Sequence, residues 1–182
     1  MRVIAGKARR LPLKTVPGLE TRPTTDRIKE TLFNILQNDI PGARFLDVFA
    51  GSGGIGIEAL SRGARHAYFV ENGKQALECI KKNLNFTKLA DKATVVSRDV
   101  LSAIPFLNEK ADIVFMDPPY QLGNEAMVCR MLKQSGCFKE ETRLIIEAVK
   151  DRDFSDITDL GFSIIKEKIY KTNKHVFITP SK

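Results

Sequence analysis

The sequence predicts an α/β fold. It is a mainly parallel, seven-stranded sheet with helices on both faces, preceded by an N-terminal β-hairpin arm and closed by a C-terminal antiparallel hairpin. Three features predict it. From residue 44 onward, short apolar strand-like runs alternate with segments of helical period, as right-handed crossovers in a parallel sheet require. A glycine-rich turn, Gly51 to Gly56, joins the first of these strands to the first helix after it. The last two strand-like runs are separated only by Lys171-Thr172-Asn173-Lys174, too short for a crossover, so they must pair antiparallel.

RVIA (2–5) and RRLPLKT (9–15) flank a Gly6-Lys7 turn and predict the arm. TTDRIKETLFNILQ predicts a helix: Thr24 or Thr25 can cap it, Asp26 suits its first turn, and Ile28, Leu32, Ile35 and Leu36 recur on one face. Pro41-Gly42 ends it. RFLDVF (44–49) reads as a strand, GIGIEALSRG (54–63) as a helix, HAYFVE (66–71) as a strand and KQALECIKKNLNF (74–86) as an amphipathic helix. ATVVS (93–97) and ADIVFM (111–116) are strands with a short helical stretch at 101–107 between them. Residues 124–133 read as a helix and RLIIEAV (143–149) as the fifth strand; FSIIKEKIY and HVFITP form the final hairpin. No boundary interrupts the chain after residue 42. A basic arm (1–23) and a single domain (24–182) are therefore expected.

Composition narrows the classes. Apolar residues make up 43% of 182, ordinary for a globular protein, and no apolar run approaches membrane-spanning length. The first residues, MRVIAGK, lack the apolar core of a secretory signal. Cys79, Cys129 and Cys137 are an odd number without a C-x-x-C pair, so disulfides and a zinc site are not expected and a cytoplasmic location is. His66 and His175 read as surface or partly buried bystanders, and no metal is expected. The net charge of +7 is unevenly spread. Residues 1–29 carry eight basic side chains against two acids, which suits an arm that meets a polyanion.

In open parallel sheets ligands bind beyond the carboxyl ends of the strands. The residues there are Asp47 to Gly56, Glu71, Asp99, and Asp117 to Tyr120. Gly51-Ser52-Gly53-Gly54-Ile55-Gly56 fits G-x-G-x-x-G, and Glu71 follows Gly51 by twenty residues at the end of the next strand, a spacing that fits a ribose acceptor. No lysine follows the last glycine, and Asp47 stands close to the loop, where it would repel a diphosphate. A cationic nucleoside fits better, and S-adenosylmethionine carries a sulfonium, an ammonium and a ribose with no phosphate. On that reading Asp47 lies near the methionine end and Glu71 holds the ribose. Phe49 or Val100 packs on a ring. Asp99 either accepts from the adenine amino group or caps the helix that follows it.

VFMDPPY (114–120) ends a buried strand on an acid, two prolines and an aromatic. Asp117 and the Pro118 carbonyl can accept the two N–H groups of an exocyclic amine, turning its lone pair toward a methyl donor. Tyr120 offers a face for a splayed base.

DVFAGSGGIGIEAL, FVE (69–71) and DPPY together resemble an amino-directed, class I, Rossmann-like S-adenosylmethionine-dependent methyltransferase. RVIAGKARR and RPTTDRIKETLFNIL further resemble the bacterial RsmD-like enzymes that methylate guanine N2 in 16S ribosomal RNA. The resemblance runs from Met1 to about Glu147, and Gly54 stands where a residue such as Ala is expected. It implies that Asp47, Phe49, Ala50, Gly51, Gly53, Gly56, Glu71, Asp99 and Val100 bind the cofactor, and that Asp117, Pro118 and Tyr120 act on the amine. Arg2, Lys7, Arg9 and Arg10 would hold RNA phosphates, and Arg22, Thr24, Thr25 and Arg27 would place the target nucleotide. The implied partner is 16S rRNA within a small subunit or its assembly intermediate, bound by a monomer. The competing classes are a DNA amino-methyltransferase, for which the chain has no spare domain, and an RNA-binding assembly factor without catalysis. A nicotinamide-dependent oxidoreductase is opposed by Asp47.

Overall fold

The structure, a computed structural model, describes residues 1–16, 26–119 and 123–181. Five parallel strands form most of one sheet: β1 (Arg44–Val48), β2 (His66–Glu71), β3 (Ala93–Ser97), β4 (Ile113–Met116) and β5 (Arg143–Val149). The hairpin strands β6 (Phe162–Ile169) and β7 (Asn173–Pro180) complete it, and the order is β3-β2-β1-β4-β5-β7-β6. β7 runs antiparallel to both β5 and β6. Crossovers lead from β1 outward to β2 and β3 on one side and to β4 and β5 on the other. The switch point, and hence the crevice for a ligand, lies where β1 and β4 end side by side.

Helices α1 (Asp26–Ile35), α2 (Gly54–Ser61) and α3 (Lys74–Phe86) cover one face. There Leu32, Phe33, Ile57, Leu60, Ile80 and Leu84 pack on Phe45, Phe69, Phe115, Ile145 and Phe177 of the strands. Helices α4 (Val100–Ala103), α5 (Glu125–Gln134) and α6 (Ser155–Thr158) cover the other, over Leu46, Val48, Val114, Met116, Leu144 and Ile146. Double coverage explains why the central strands are nearly continuous apolar runs. It also makes each polar residue within them conspicuous.

Several expectations are corrected. The arm is a hairpin, but a short one: a single antiparallel bridge, Arg2 to Pro12, is flanked by bonds from Val3 N to Leu11 O (3.0 Å), Arg10 N to Val3 O (2.8 Å) and Leu13 N to Met1 O (3.0 Å). Pro12 has no N–H to extend the ladder, and the donors nearer the turn leave the arm. Ile4 and Ala5 give theirs to the Glu58 carboxylate of α2 (2.8 and 3.0 Å), and Lys7 and Ala8 give theirs to Ser61. A Cβ at Gly6 would lie 1.9 Å from the Ser61 carbonyl oxygen, so only glycine lets the arm lie this close. Val3, Ala8 and Leu13 enter the core. The buried face of α1 is Lys29, Leu32, Phe33 and, just beyond it, Leu36, one residue off the expected stripe, because Lys29 turns inward to Glu58. β1 stops at Val48 because Phe49 takes φ 62°. β4 begins at Ile113, and the Ala111 N–H before it leaves the sheet for Cys137 O. The last turn spans 170–172 rather than 171–174. The short helix α6 was not expected. His175 is fully buried, not a surface or partly buried residue. Gly54 is explained by Met1, whose sulfur would lie 2.6 Å from a Cβ there. Among the described residues no helix is long and apolar enough to cross a membrane.

Candidate active site

β1 delivers Asp47 to the switch point, in register with Phe69 on one side and Phe115 on the other. It is 2% exposed, and its Oδ2 accepts from Gly56 N at 2.8 Å. Burial pushes its pKa up to about 8; the Gly56 N–H holds it down in part and the Glu71 charge adds to the rise. An acid held so high takes up a proton on folding. Its contribution to stability is complete below its unfolded pKa of 3.8 and is lost as pH rises through about 8. Asp47→Asn, whose amide oxygen can still accept from Gly56, is therefore expected to stabilise the ligand-free protein by at least about 2 kcal/mol at pH 8 and by almost nothing at pH 4. Thermal melts across that range check it.

The turn after β1 is left-handed at Phe49, Gly51 (φ 55°) and Gly53 (φ 80°), and Gly53 caps α2. A side chain at Gly51 would meet no atom within 4 Å, so that glycine faces open space and serves by its backbone conformation. Gly56 serves differently. A Cβ there would lie 2.3 Å from the Phe69 ring, so its absence lets α2 press against β2 and keeps the Asp47 bond short. Ala50 is buried, and its N–H bonds Val70 O.

Glu71 ends β2 and ties the loop to the next helix. Its Oε2 accepts from Gly51 N (2.8 Å); its Oε1 accepts from Asn72 N (2.9 Å) and Gly73 N (2.8 Å). A carboxylate has about four acceptor positions, so one remains for a hydroxyl. The Gly51 amide, which a diphosphate would need, is already taken by a negative group. These residues fit a phosphate-free, cationic nucleoside such as S-adenosylmethionine and do not fit a dinucleotide. Asp99 is exposed and caps α4, its Oδ1 accepting from Leu101 N at 3.0 Å, which realises the capping alternative. Val100 behind it is buried in the core.

Asp117 follows β4 directly, half-buried by surface, and Pro118 is buried while Pro119 is exposed. Burial first, then the charges of Glu147 and Asp47, raise the Asp117 pKa well above the usual carboxylate range. Arg22, Thr24, Thr25 and Tyr120 lie outside the described residues.

The family described as "Conserved hypothetical protein 95" matches residues 1–179. The chain belongs to this family. It is 36% identical over 171 residues to Ribosomal RNA small subunit methyltransferase D of Escherichia coli (strain K12), covering 93% of this chain and 84% of that protein. It is 37% identical over 176 residues to the protein of the same name in Haemophilus influenzae, with 92% and 88% covered. Among solved structures, the yhhF protein of Escherichia coli superposes with a TM-score of 0.85 at 34% identity, covering 100% of this chain and 98% of its own. A hypothetical protein of Thermus thermophilus gives 0.82 at 30%, with 97% and 98% covered. The RsmD-like resemblance and the seven-stranded methyltransferase sheet are borne out.

In this family member the arm is fastened beside the glycine loop. Met1 packs on Gly54, and the buried Asn83 of α3 bonds Lys14 N, Lys14 O and Ser52 O at 2.8–2.9 Å. Lys7, Arg9, Arg10 and Arg27 are exposed; Arg2 pairs with Asp26 at 2.7 Å. Lys29, counted with the basic arm on sequence, is instead fully buried against Glu58 at 3.4 Å. Sequence reading also missed Asn83, Glu58, Glu147, Asn173 and His175. Glu147 had a signal: an acid inside the apolar run RLIIEAV, the same oddity as the acid in VFMDPPY.

Proposed function

We propose that this chain methylates the exocyclic N2 amino group of a guanine in small-subunit (16S) rRNA. Membership of the family makes it an rRNA methyltransferase that uses S-adenosylmethionine. The finer reading rests on one observation. Asp117, rigidly backed by two prolines, lies at the switch point with Asp47, next to a glycine loop whose first amide is committed to Glu71.

When bound, S-adenosylmethionine supplies an electrophilic methyl group. Glu71 accepts from the ribose, Asp47 gives up its proton as the cationic methionine end arrives and then pairs with it, and the wall of Phe49, Ala50 and Val100 takes the adenine. Asp99 keeps one carboxylate oxygen beyond its cap for the adenine amine. Asp117 and the Pro118 carbonyl accept the two N–H groups of the guanine amine. This draws its lone pair out of conjugation, and the carboxylate offsets the positive charge that grows on nitrogen. Tyr120 stacks on the base, which must be unpaired or flipped to reach the crevice. Lys7, Arg9 and Arg10 hold phosphates, Arg2 adds to them once freed from Asp26, and Arg22, Thr24, Thr25 and Arg27 border the target nucleotide. One chain carries both arm and site, so a monomer suffices, and the substrate is a small subunit or its assembly intermediate.

The test offers labelled S-adenosylmethionine with naked 16S rRNA, with small subunits lacking the modification, and with DNA, then digests each to nucleosides. N2-methylguanosine from subunits is expected. Label in DNA, or on another atom of RNA, overturns the reading. Arg9→Ala with Arg10→Ala is expected to weaken RNA binding and to lower the slope of log affinity against log salt by about 1–2. Filter binding at several salt concentrations measures it; an unchanged slope removes the arm from the phosphate contacts.

A further inference from the structure

The C-terminal hairpin brings a buried polar chain to the side of Asp117. Met116 pairs with Ile146, so Asp117 and Glu147 are the next residues on neighbouring strands, and Glu147 pairs in turn with His175 of β7. Glu147 is 6% exposed and His175 0%. Both Glu147 oxygens are engaged: Oε1 accepts from Asn173 Nδ2 at 2.6 Å, and Oε2 lies 3.0 Å from His175 Nε2. His175 Nδ1 lies 3.3 Å from the Tyr170 hydroxyl in the hairpin turn, and the His175 ring meets Phe115 edge-on at 5.8 Å. Burial first, then the Glu147 charge, push the Tyr170 phenol up to about 12, so it keeps its proton and donates to Nδ1. Nε2–H is then left to donate to Glu147. A full set of partners holds a carboxylate in apolar surroundings, one strand away from the acid that meets the amine. Packing alone would not call for a charge there.

We propose that Glu147, clamped by His175, Asn173 and Tyr170, is a positioning residue for Asp117, its fixed negative charge making Asp117 a stronger acceptor of the amine's protons. This rests on the reading of Asp117 given above. As the amine nitrogen gives its lone pair to the methyl carbon, that carbon's bond to sulfur breaks with the electron pair left on sulfur, and the nitrogen becomes cationic. One N–H bond breaks, its electron pair stays on nitrogen, and the proton goes to an Asp117 oxygen, from which it leaves to solvent. A more basic carboxylate takes that proton more readily. The charges acting on Asp117 are Glu147 from β5 and Asp47 from β1; Glu147 is faced by His175 and Asn173 from β7 and by Tyr170. The hairpin thus bears on the chemistry as well as closing the sheet.

The experiment is the pH profile of single-turnover methyl transfer from S-adenosylmethionine to small subunits lacking the modification, for wild type, Glu147→Gln, His175→Phe and His175→Gln. Glu147→Gln is expected to move the acidic limb about one pH unit lower and to reduce the plateau about threefold to tenfold, with KM for the subunit unchanged. His175→Phe, which removes the partner that fixes Glu147 Oε2 beside Asp117, is expected to shift the limb the same way. His175→Gln, which keeps an N–H for Glu147, is expected to restore the limb. A merely structural role would lower the melting temperature without moving the limb. Coincident limbs for wild type and whichever of Glu147→Gln and His175→Phe folds overturn the proposal. Asp117→Asn separates the two claims. If it keeps the wild-type limb, the limb does not belong to Asp117 and the reading of Asp117 falls with the proposal; if it abolishes the limb, that reading stands by itself.

Discussion

Asp117→Ala is expected to reduce methyl transfer about 10²–10⁴-fold, the range over which a positioned acceptor or charge contributes to a displacement of this kind. Cofactor affinity by calorimetry is expected to stay near wild type, because Asp47, Glu71 and the glycine loop are tied together by bonds that do not pass through Asp117. Asp117→Asn is expected to fall between the two, since the amide oxygen still accepts one N–H bond but carries no charge. Asp117 is costly to the ligand-free fold. Its pKa is raised by burial and by two neighbouring carboxylates, so its contribution to stability is lost as pH rises past the usual carboxylate range. Both variants should therefore melt at or above the wild-type temperature at neutral pH. Lost activity in a protein of undiminished stability separates a chemical role from a structural one. Wild-type activity in the Ala variant would end the proposed mechanism.

Much of the fold was legible in the sequence because strand-helix alternation has few solutions. The candidate site was legible in part for a related reason: the strand ends at the switch point follow from strand assignment alone, and Asp47, Glu71 and Asp117 stand at or just beyond them. Legibility ended where a residue's role depends on a partner distant in sequence. Lys29 reads as one more basic residue until Glu58, 29 positions later, is seen to face it. His175 reads as a bystander until the antiparallel register of β5 and β7 sets it opposite Glu147. The arm reads as a hairpin and pairs as one at Arg2 and Pro12, but the Ile4 and Ala5 donors nearer the turn are claimed by a carboxylate that local pattern cannot reveal. At Gly56 local pattern could not reveal the packing reason for a glycine: a Cβ there would strike the Phe69 ring of β2.

The second large effect is expected at Glu58. This carboxylate is fully buried and holds four groups at once: the Lys29 ammonium at 3.4 Å, Arg62 Nε at 2.8 Å, and the backbone N–H groups of Ile4 and Ala5. Lys29 in turn donates to Arg2 O, so α1, α2 and the arm meet at one charge cluster. Burial lowers the Lys29 pKa even with Glu58 beside it, so the ammonium is kept charged at a cost, with Glu58 as its main counterweight. Glu58→Ala strips that counterweight and leaves two part-buried backbone donors unmatched. A loss of about 3–5 kcal/mol is expected, a melting temperature lower by roughly 6–20 °C for a domain of this size. Lys29→Met should cost less, because Glu58 keeps Arg62 and both backbone donors. In Glu58→Ala the arm should also come free, so trypsin should cut after Arg9 and Arg10 much faster than in wild type. Equal arm protection, or a melting temperature within about 2 °C of wild type, would mean that apolar packing of Val3, Ala8 and Leu13 alone fastens the arm. The basic side chains would then owe their position to the core and not to this buried charge.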